Sequence, residues 1–237
     1  MLHNRLRFVV FFSFLMTAGF ASAASLPAPL EAAIKDVETR RAAATELRFT
    51  FKVHTVTNEN EFRFRYEPKG AEAWTLLSPE TKDTERIKKQ MAKRAERQEE
   101  GADRELLAGD LRELIGDRVE LVENTTTHRV YRFNLSEAAK IGGGGGSGSF
   151  DATKYLTGEL AIGPENRLLW LRFFAEKAFK PVLVAKIKTF DLKLFYDPIW
   201  SEGPYVMVRQ AMNVDGSAFF KSFAENVNTA YSDFEQR

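Results

Sequence analysis

The sequence predicts a mainly β protein with helices. It expects a curled antiparallel sheet of about ten strands, a half-barrel, wrapped around an N-terminal amphipathic helix and carrying a charged helical insert. Three observations lead there. Apolar and polar residues alternate with period two in short segments along most of the chain, the spacing of half-buried strands. Turn-forming residues separate these segments, so consecutive strands are expected to pair as an antiparallel meander. Helical apolar spacing occurs in only two places. Ten twisted strands do not stay flat, so the sheet has to curl.

Residues 1–23 have the layout of a secretory leader. Arg5 and Arg7 give a basic start, Phe8 to Phe20 an apolar run, and Ala21-Ser22-Ala23 the small-x-small pattern of a cleavage site. The run is about 13 residues, short of the roughly 20 needed to span a bilayer as a helix. Cleavage is expected after Ala23. The mature chain, a single half-barrel domain over 24–237, is then expected in the periplasm without stable membrane insertion.

After Pro27 and Pro29, about sixteen residues read as a helix. Leu30, Ala33, Ile34, Val37 and Ala44 form one narrow stripe, interrupted by Arg41. The period then switches. Leu47, Phe49, Phe51 and Val53 alternate with Arg48, Thr50, Lys52 and His54, Asn58-Glu59-Asn60 turns the chain, and Phe62, Phe64 and Tyr66 alternate with Glu61, Arg63 and Arg65. Pro68-Lys69-Gly70 leads into a third strand, Trp74 to Leu77.

Residues 79–116 read as a helical insert. Fourteen of the twenty-three residues from Lys82 to Arg104 are charged, eight basic and six acidic, which describes a solvated face. Leu107, Leu111, Leu114 and Ile115 then recur at helical spacing, a half that docks on the domain. Strands follow near Arg118 to Glu123 and His128 to Asn134. The glycine-rich stretch within 141–150 lacks the Gly-Lys-Ser/Thr ending of a phosphate-binding loop and reads as a flexible loop. Strands resume at Tyr155 to Ile162, Arg167 to Ala175, Leu183 to Tyr196, Tyr205 to Val214 and Phe219 to Tyr231, with Asp215-Gly216 as the last hairpin turn.

Composition removes several function classes. Cysteine is absent, which leaves no disulfide and no thiolate chemistry. Net charge is +1, and −1 once Arg5 and Arg7 leave with the leader, so no global basic field draws in nucleic acid. His54 and His128 are the only histidines after the leader, and they show neither a metal-ligand spacing nor a nucleophile motif. The expectation is a protein that is not an enzyme, with no catalytic residue, no metal and no cofactor.

One narrow helical stripe cannot cover the inner face of ten strands. The surplus aromatic surface must meet more of the chain, a partner or a ligand. The leader, the leading helix, the strand Glu46-Leu47-Arg48-Phe49-Thr50-Phe51 and the return Glu61-Phe62-Arg63-Phe64-Arg65-Tyr66-Glu67-Pro68 together resemble the LolA/LolB-type periplasmic lipoprotein carriers. The resemblance implies a half-barrel closed by helices over a hydrophobic cavity for acyl chains. The family's Ser-Asp-Gly segment with a following Trp-x-Tyr is missing after Trp74.

Two function classes follow. The first is a carrier or sensor that takes a lipid, acyl chain or lipoprotein in the concavity, with Phe49, Phe51, Phe62 and Phe64 lining the pocket and Trp74 near its mouth. The second is a non-catalytic envelope protein with a filled core, meeting a protein partner through its charged helix or a sheet edge. An open apolar concavity separates the first from the second.

Overall fold

The computed structural model describes residues 26–68, 73–78, 106–137, 152–219 and 221–237. The leader, the charged stretch 79–105 and the glycine-rich loop at 141–150 lie outside the described residues.

Helix α1 (Ala28–Ala43) begins after Pro27, with Pro29 in its first turn, where a missing N–H costs nothing. Its stripe is as read from the sequence: Leu30, Ala33, Ile34 and Val37 are buried, as is Ala44 just beyond its end. Eleven strands form one antiparallel, unclosed, curled sheet. They are β1 (Phe49–Val56), β2 (Glu61–Tyr66), β3 (Trp74–Ser78), β4 (Ile115–Asn124), β5 (Arg129–Leu135), β6 (Thr157–Ile162), β7 (Leu168–Phe174), β8 (Phe179–Val182), β9 (Ala185–Pro198), β10 (Tyr205–Ala218) and β11 (Lys221–Gln236). The spatial order is β3-β2-β1-β11-β10-β9-β7-β6-β5-β4, with β8 paired to β9.

That order corrects the simple meander. Two hairpin-linked runs, β1–β3 and β4–β11, are joined by pairing the first strand with the last. Val53 opposes Tyr231 and Thr55 opposes Thr229. As a result β3 and β4, neighbours in sequence, are the two outer edges of the sheet.

Three local expectations are corrected as well. Asp215-Gly216 is not a turn: both residues lie inside β10, and the turn falls between Ala218 and Lys221, with Phe219 at φ 48°. Gly216 is present because the neighbouring strand comes close. A Cβ there would sit 2.5 Å from the Lys186 carbonyl oxygen, where β9 and β10 shift register. Leu183 does not begin a long strand but lies in the turn between β8 and β9. Nor do Leu107 to Ile115 make one helix. Leu107 forms a β-bridge with Val206, only Leu111–Leu114 is helical (α2), and Ile115 starts β4. Short-range apolar spacing was satisfied instead by tertiary pairing.

The pairing at that point organises the molecule. β10 and β11 are paired from Arg209↔Ala230 to the turn. Below it they part, β11 continuing along β1 while Tyr205–Met207 meets Leu106–Ala108. The Ala108 N–H donates to the Tyr205 carbonyl at 2.9 Å, and the Met207 N–H to the Leu106 carbonyl at 2.7 Å. Successive side chains of this wedge enter different apolar clusters. Leu106 joins Phe51, Val53, Phe64 and Tyr66, Leu107 joins Phe49 and Val206, and Ala108 joins the large core beneath α1.

Leu107→Ala therefore removes apolar volume at the junction of both runs. We expect a loss of about 2–5 kcal/mol in chemical denaturation, the range for truncating a buried leucine. A loss below about 0.5 kcal/mol would mean that the wedge is peripheral to the fold.

Candidate functional site

Opposed residues in a sheet point to the same side, so the pairings assign each side chain to a face. One row crosses nine strands on the face that carries α1. From β2 it runs Phe62, Thr55, Thr229 and Gln210, then Leu194, Leu171, Leu160, Tyr131 and Leu121. A second row runs Val227, Met212, Leu192, Phe173, Gly158, Phe133 and Val119.

Burial divides these rows into two halves. Leu171, Leu160, Tyr131, Phe173 and Phe133 are buried in the cluster that includes Leu30, Ala33, Ile34 and Val37 of α1. Gly158 provides room for the Phe133 ring, whose nearest atom would lie 2.3 Å from an added Cβ. On β9, β10 and β11 the same face is only partly covered. Phe190, Leu192, Leu194, Tyr196, Met207, Met212, Val214, Val227 and Tyr231 all keep some exposure. Polar groups are sparse here. Thr55 and Thr229 bond to each other through their hydroxyls at 3.2 Å, with Gln210 beside them. Burial pushes the Tyr196 phenol up, with a further contribution from Tyr231.

The residues expected to line a pocket fall on this face but on its other flank, and the helix does not stand opposite them. Its apolar stripe shares one cluster with buried residues of β5–β7, and Phe190, Leu192, Leu194 and Tyr196 of β9 pack against that cluster. Phe49 and Phe51 are 2% and 1% exposed and Phe64 is also buried, whereas Phe62 and Trp74 remain partly exposed. Phe51 stacks on Tyr66 at 5.0 Å and meets Trp74 edge-on at 5.8 Å, and Phe64 meets Trp74 edge-on at 6.4 Å. Phe62 is tilted on Phe64 at 6.1 Å. Phe49 belongs to a separate small cluster with Leu107 and Val206. Phe51, Phe62, Phe64 and Trp74 thus form an aromatic wall without Phe49, and of the four Phe62 alone belongs to the nine-strand row. The Trp74 indole nitrogen is buried without a hydrogen-bond partner among the described residues.

Polar contacts hold α1 in place. Arg112 of α2 reaches both Glu31 oxygens at 2.8 and 3.0 Å and Glu38 at 3.1 Å, and it holds the Glu31 carboxyl below its usual range. On the other side Tyr205 donates to Asp36 at 3.0 Å, and Arg40, paired with Asp36, donates to the Ser201 and Gly203 carbonyls.

The opposite face carries a charged lattice that the sequence did not disclose, because its members lie on four strands. The buried Glu159 carboxylate is held by Arg132 at 2.9 Å and Arg172 at 3.2 Å, and Arg172 also grips Asp191 at 2.6 Å. The Lys193 ammonium lies 3.7 Å above the Trp170 ring, and Arg209 lies 3.7 Å above that of Phe195. Burial, then Arg172, lowers the Lys193 pKa. His54 is also on this face, 2.8 Å from Glu61, and His128 is 3.1 Å from Glu123.

Two clefts of about 570 and 680 Å³ open near β4 and β5. Asp117, Arg118, Glu120, Arg132, Lys154, Glu176 and Lys177 line the first; Glu31, Arg112, Asp117 and Glu137 are among those lining the second. Apolar side chains share both linings, Val119, Phe133, Leu156 and Phe179 in the first and Leu26, Ile115 and Leu135 in the second, and neither includes a residue of β9, β10 or β11.

Within the aromatic wall, Phe51→Ala should cost about 3–5 kcal/mol in chemical denaturation as a closed-core truncation. Trp74→Phe keeps the ring contact and removes a buried donor, so it should change stability by less than about 1 kcal/mol. The reverse ranking would mean that the indole nitrogen is satisfied and Phe51 is dispensable.

Comparison of the chain with family models, with curated proteins and with solved structures finds no match in any of the three.

Proposed function

We propose that the protein is exported, loses its leader after Ala23 and works in the periplasm as a carrier or sensor. Its ligand is a lipid, acyl chain or other hydrophobic molecule on the concave face of the half-barrel. One observation carries this reading: the apolar rows of the concave face are buried on β5–β7 and keep partial exposure on β9–β11. Each Å² of apolar surface removed from water favours a guest by roughly 25 cal/mol. Leu192, Leu194, Met207, Met212 and Val227 supply such surface, Phe62 stands at its far margin, and the enclosed Phe51 and Phe64 stiffen the wall behind it.

Methionine suits this position, since its unbranched side chain adapts to guests of varied shape. The Thr55–Thr229 pair and Gln210 provide a few polar groups to orient a head or ester group. The resemblance of the first two strands to lipoprotein carriers of the LolA/LolB type agrees with this reading.

A second reading has one observation of its own. Leu121 and Val122 are exposed on β4, an edge strand open to pairing with a protein partner. Two register shifts along β4 blunt that edge.

Protein recovered from the periplasm should begin at Ala24 on N-terminal sequencing and should bind a fluorescent fatty-acyl probe. Met212→Glu places a carboxylate on the apolar path and should weaken the probe by about tenfold or more, since an unpaired charge resists burial. Its melting temperature should stay near the wild-type value. A wild-type protein blind to the probe would end the carrier reading and leave the edge-strand partner.

A further inference from the structure

Two hairpin tips lie side by side at one end of the sheet. The hairpin of β8 and β9 carries Val182 at the end of β8 and Leu183 and Val184 in its turn, which are 53%, 98% and 49% exposed, and the turn between β10 and β11 carries Phe219 at 71%. The Phe219 N–H donates to the Val184 carbonyl at 2.9 Å, and Ala218 sits opposite Ala185, so the tips are joined. Single exposed hydrophobes are ordinary, but four on adjoining turns, one almost wholly in solvent, form a patch.

The charge around the patch has one sign. From Ala178 to Ile187 and from Gly216 to Phe223 the chain holds Lys180, Lys186 and Lys221 and no acidic residue. All three lysines are exposed. The nearest paired lysine is Lys188, one step along β9, which reaches Asp215 at 3.4 Å.

We propose that these tips dock the protein reversibly on an anionic lipid surface. Leu183, Phe219 and the flanking valines would enter the boundary between headgroups and acyl chains, and the three lysines would meet lipid phosphates. Lysine suits the rim, because its stem lies along apolar surface while its ammonium reaches the headgroups. Shape favours a bilayer over a protein. A small projecting apolar tip with lysines around it can enter a headgroup layer, whereas a protein interface needs a broad complementary surface. The net charge of −1 over residues 24–237 gives no global attraction to an anionic surface, so the pull comes from local lysines such as those at the tips. The proposal rests on the tips alone and stands independently of a ligand on the concave face.

The test is sedimentation of the mature protein with vesicles of phosphatidylglycerol in phosphatidylethanolamine, against vesicles of phosphatidylcholine. The wild type should sediment with the anionic vesicles and be released by added salt. Leu183→Asp combined with Phe219→Ser should lower the bound fraction by about tenfold or more, and exchange of Lys180, Lys186 and Lys221 for glutamine should remove the salt dependence. Because the chain has no cysteine, Leu183→Cys accepts a single environment-sensitive dye. Its emission should shift to the blue with anionic vesicles and stay unchanged with free glycerol phosphate, which separates a lipid surface from a soluble phosphate. The proposal is overturned if the wild type stays in the supernatant, if the tip variants bind as it does, or if the dye responds to glycerol phosphate alone. A wild-type dimer that Leu183→Asp dissociates would overturn it too, assigning the tips to a second copy of the chain.

Discussion

Leu106–Ala108 sits in the fork where β10 and β11 part, and the shape of the sheet follows from that wedge. Its backbone completes the hydrogen bonding of Tyr205–Met207, which β11 no longer supplies. Freed from β10, β11 continues beside β1 and fastens the first three strands to the last eight. The three wedge side chains enter three clusters, so backbone pairing and core packing are satisfied by the same residues. The wedge also leads directly into α2, whose Arg112 anchors α1 through Glu31 and Glu38.

The position of α1 decides where the inner face stays open. Arg112 grips it from one side and the Asp36–Arg40–Tyr205 group from the other, and its stripe of four buried residues joins the cluster in which the side chains of β5–β7 are buried and those of β9 partly exposed. Charges tie down the other face. Arg132, Glu159, Arg172 and Asp191 form a cross-strand lattice, and Lys193 and Arg209 lie over aromatic rings. A buried carboxylate such as Glu159 persists only when paired. Apolar surface stays partly covered on the concave side of β9–β11 and is exposed at the two hairpin tips, as it is on β4 at Leu121 and Val122.

Much of the architecture was legible in the sequence because its period is local. Phe49, Phe51 and Val53 alternate with polar neighbours, and Leu30, Ala33, Ile34 and Val37 recur at helical spacing. Each pattern survives in the structure as a strand or a helix with those residues inward. What could not be read depends on residues far apart in the chain. Thr55 meets Thr229, and Leu107 meets Val206. Asp215-Gly216 misled because a glycine that allows close approach of Lys186 looks in sequence like one that allows a turn. The site was half legible. Alternation put Phe51, Phe62 and Phe64 of β1 and β2 on one face, but which strands share a cluster with α1 depends on residues far apart in the chain, and no local pattern encodes that.

Residues 24–237 hold three methionines, Met91, Met207 and Met212. Two of them lie on the partly covered face, so methyl NMR of the mature protein labelled at methionine tests the account most directly. Titration with a soluble fatty acid should shift and broaden two methyl signals, assigned to Met207 and Met212 by single substitution to leucine. Unchanged Met207 and Met212 signals at saturating fatty acid would contradict an open concave face and mean that β9–β11 are closed core.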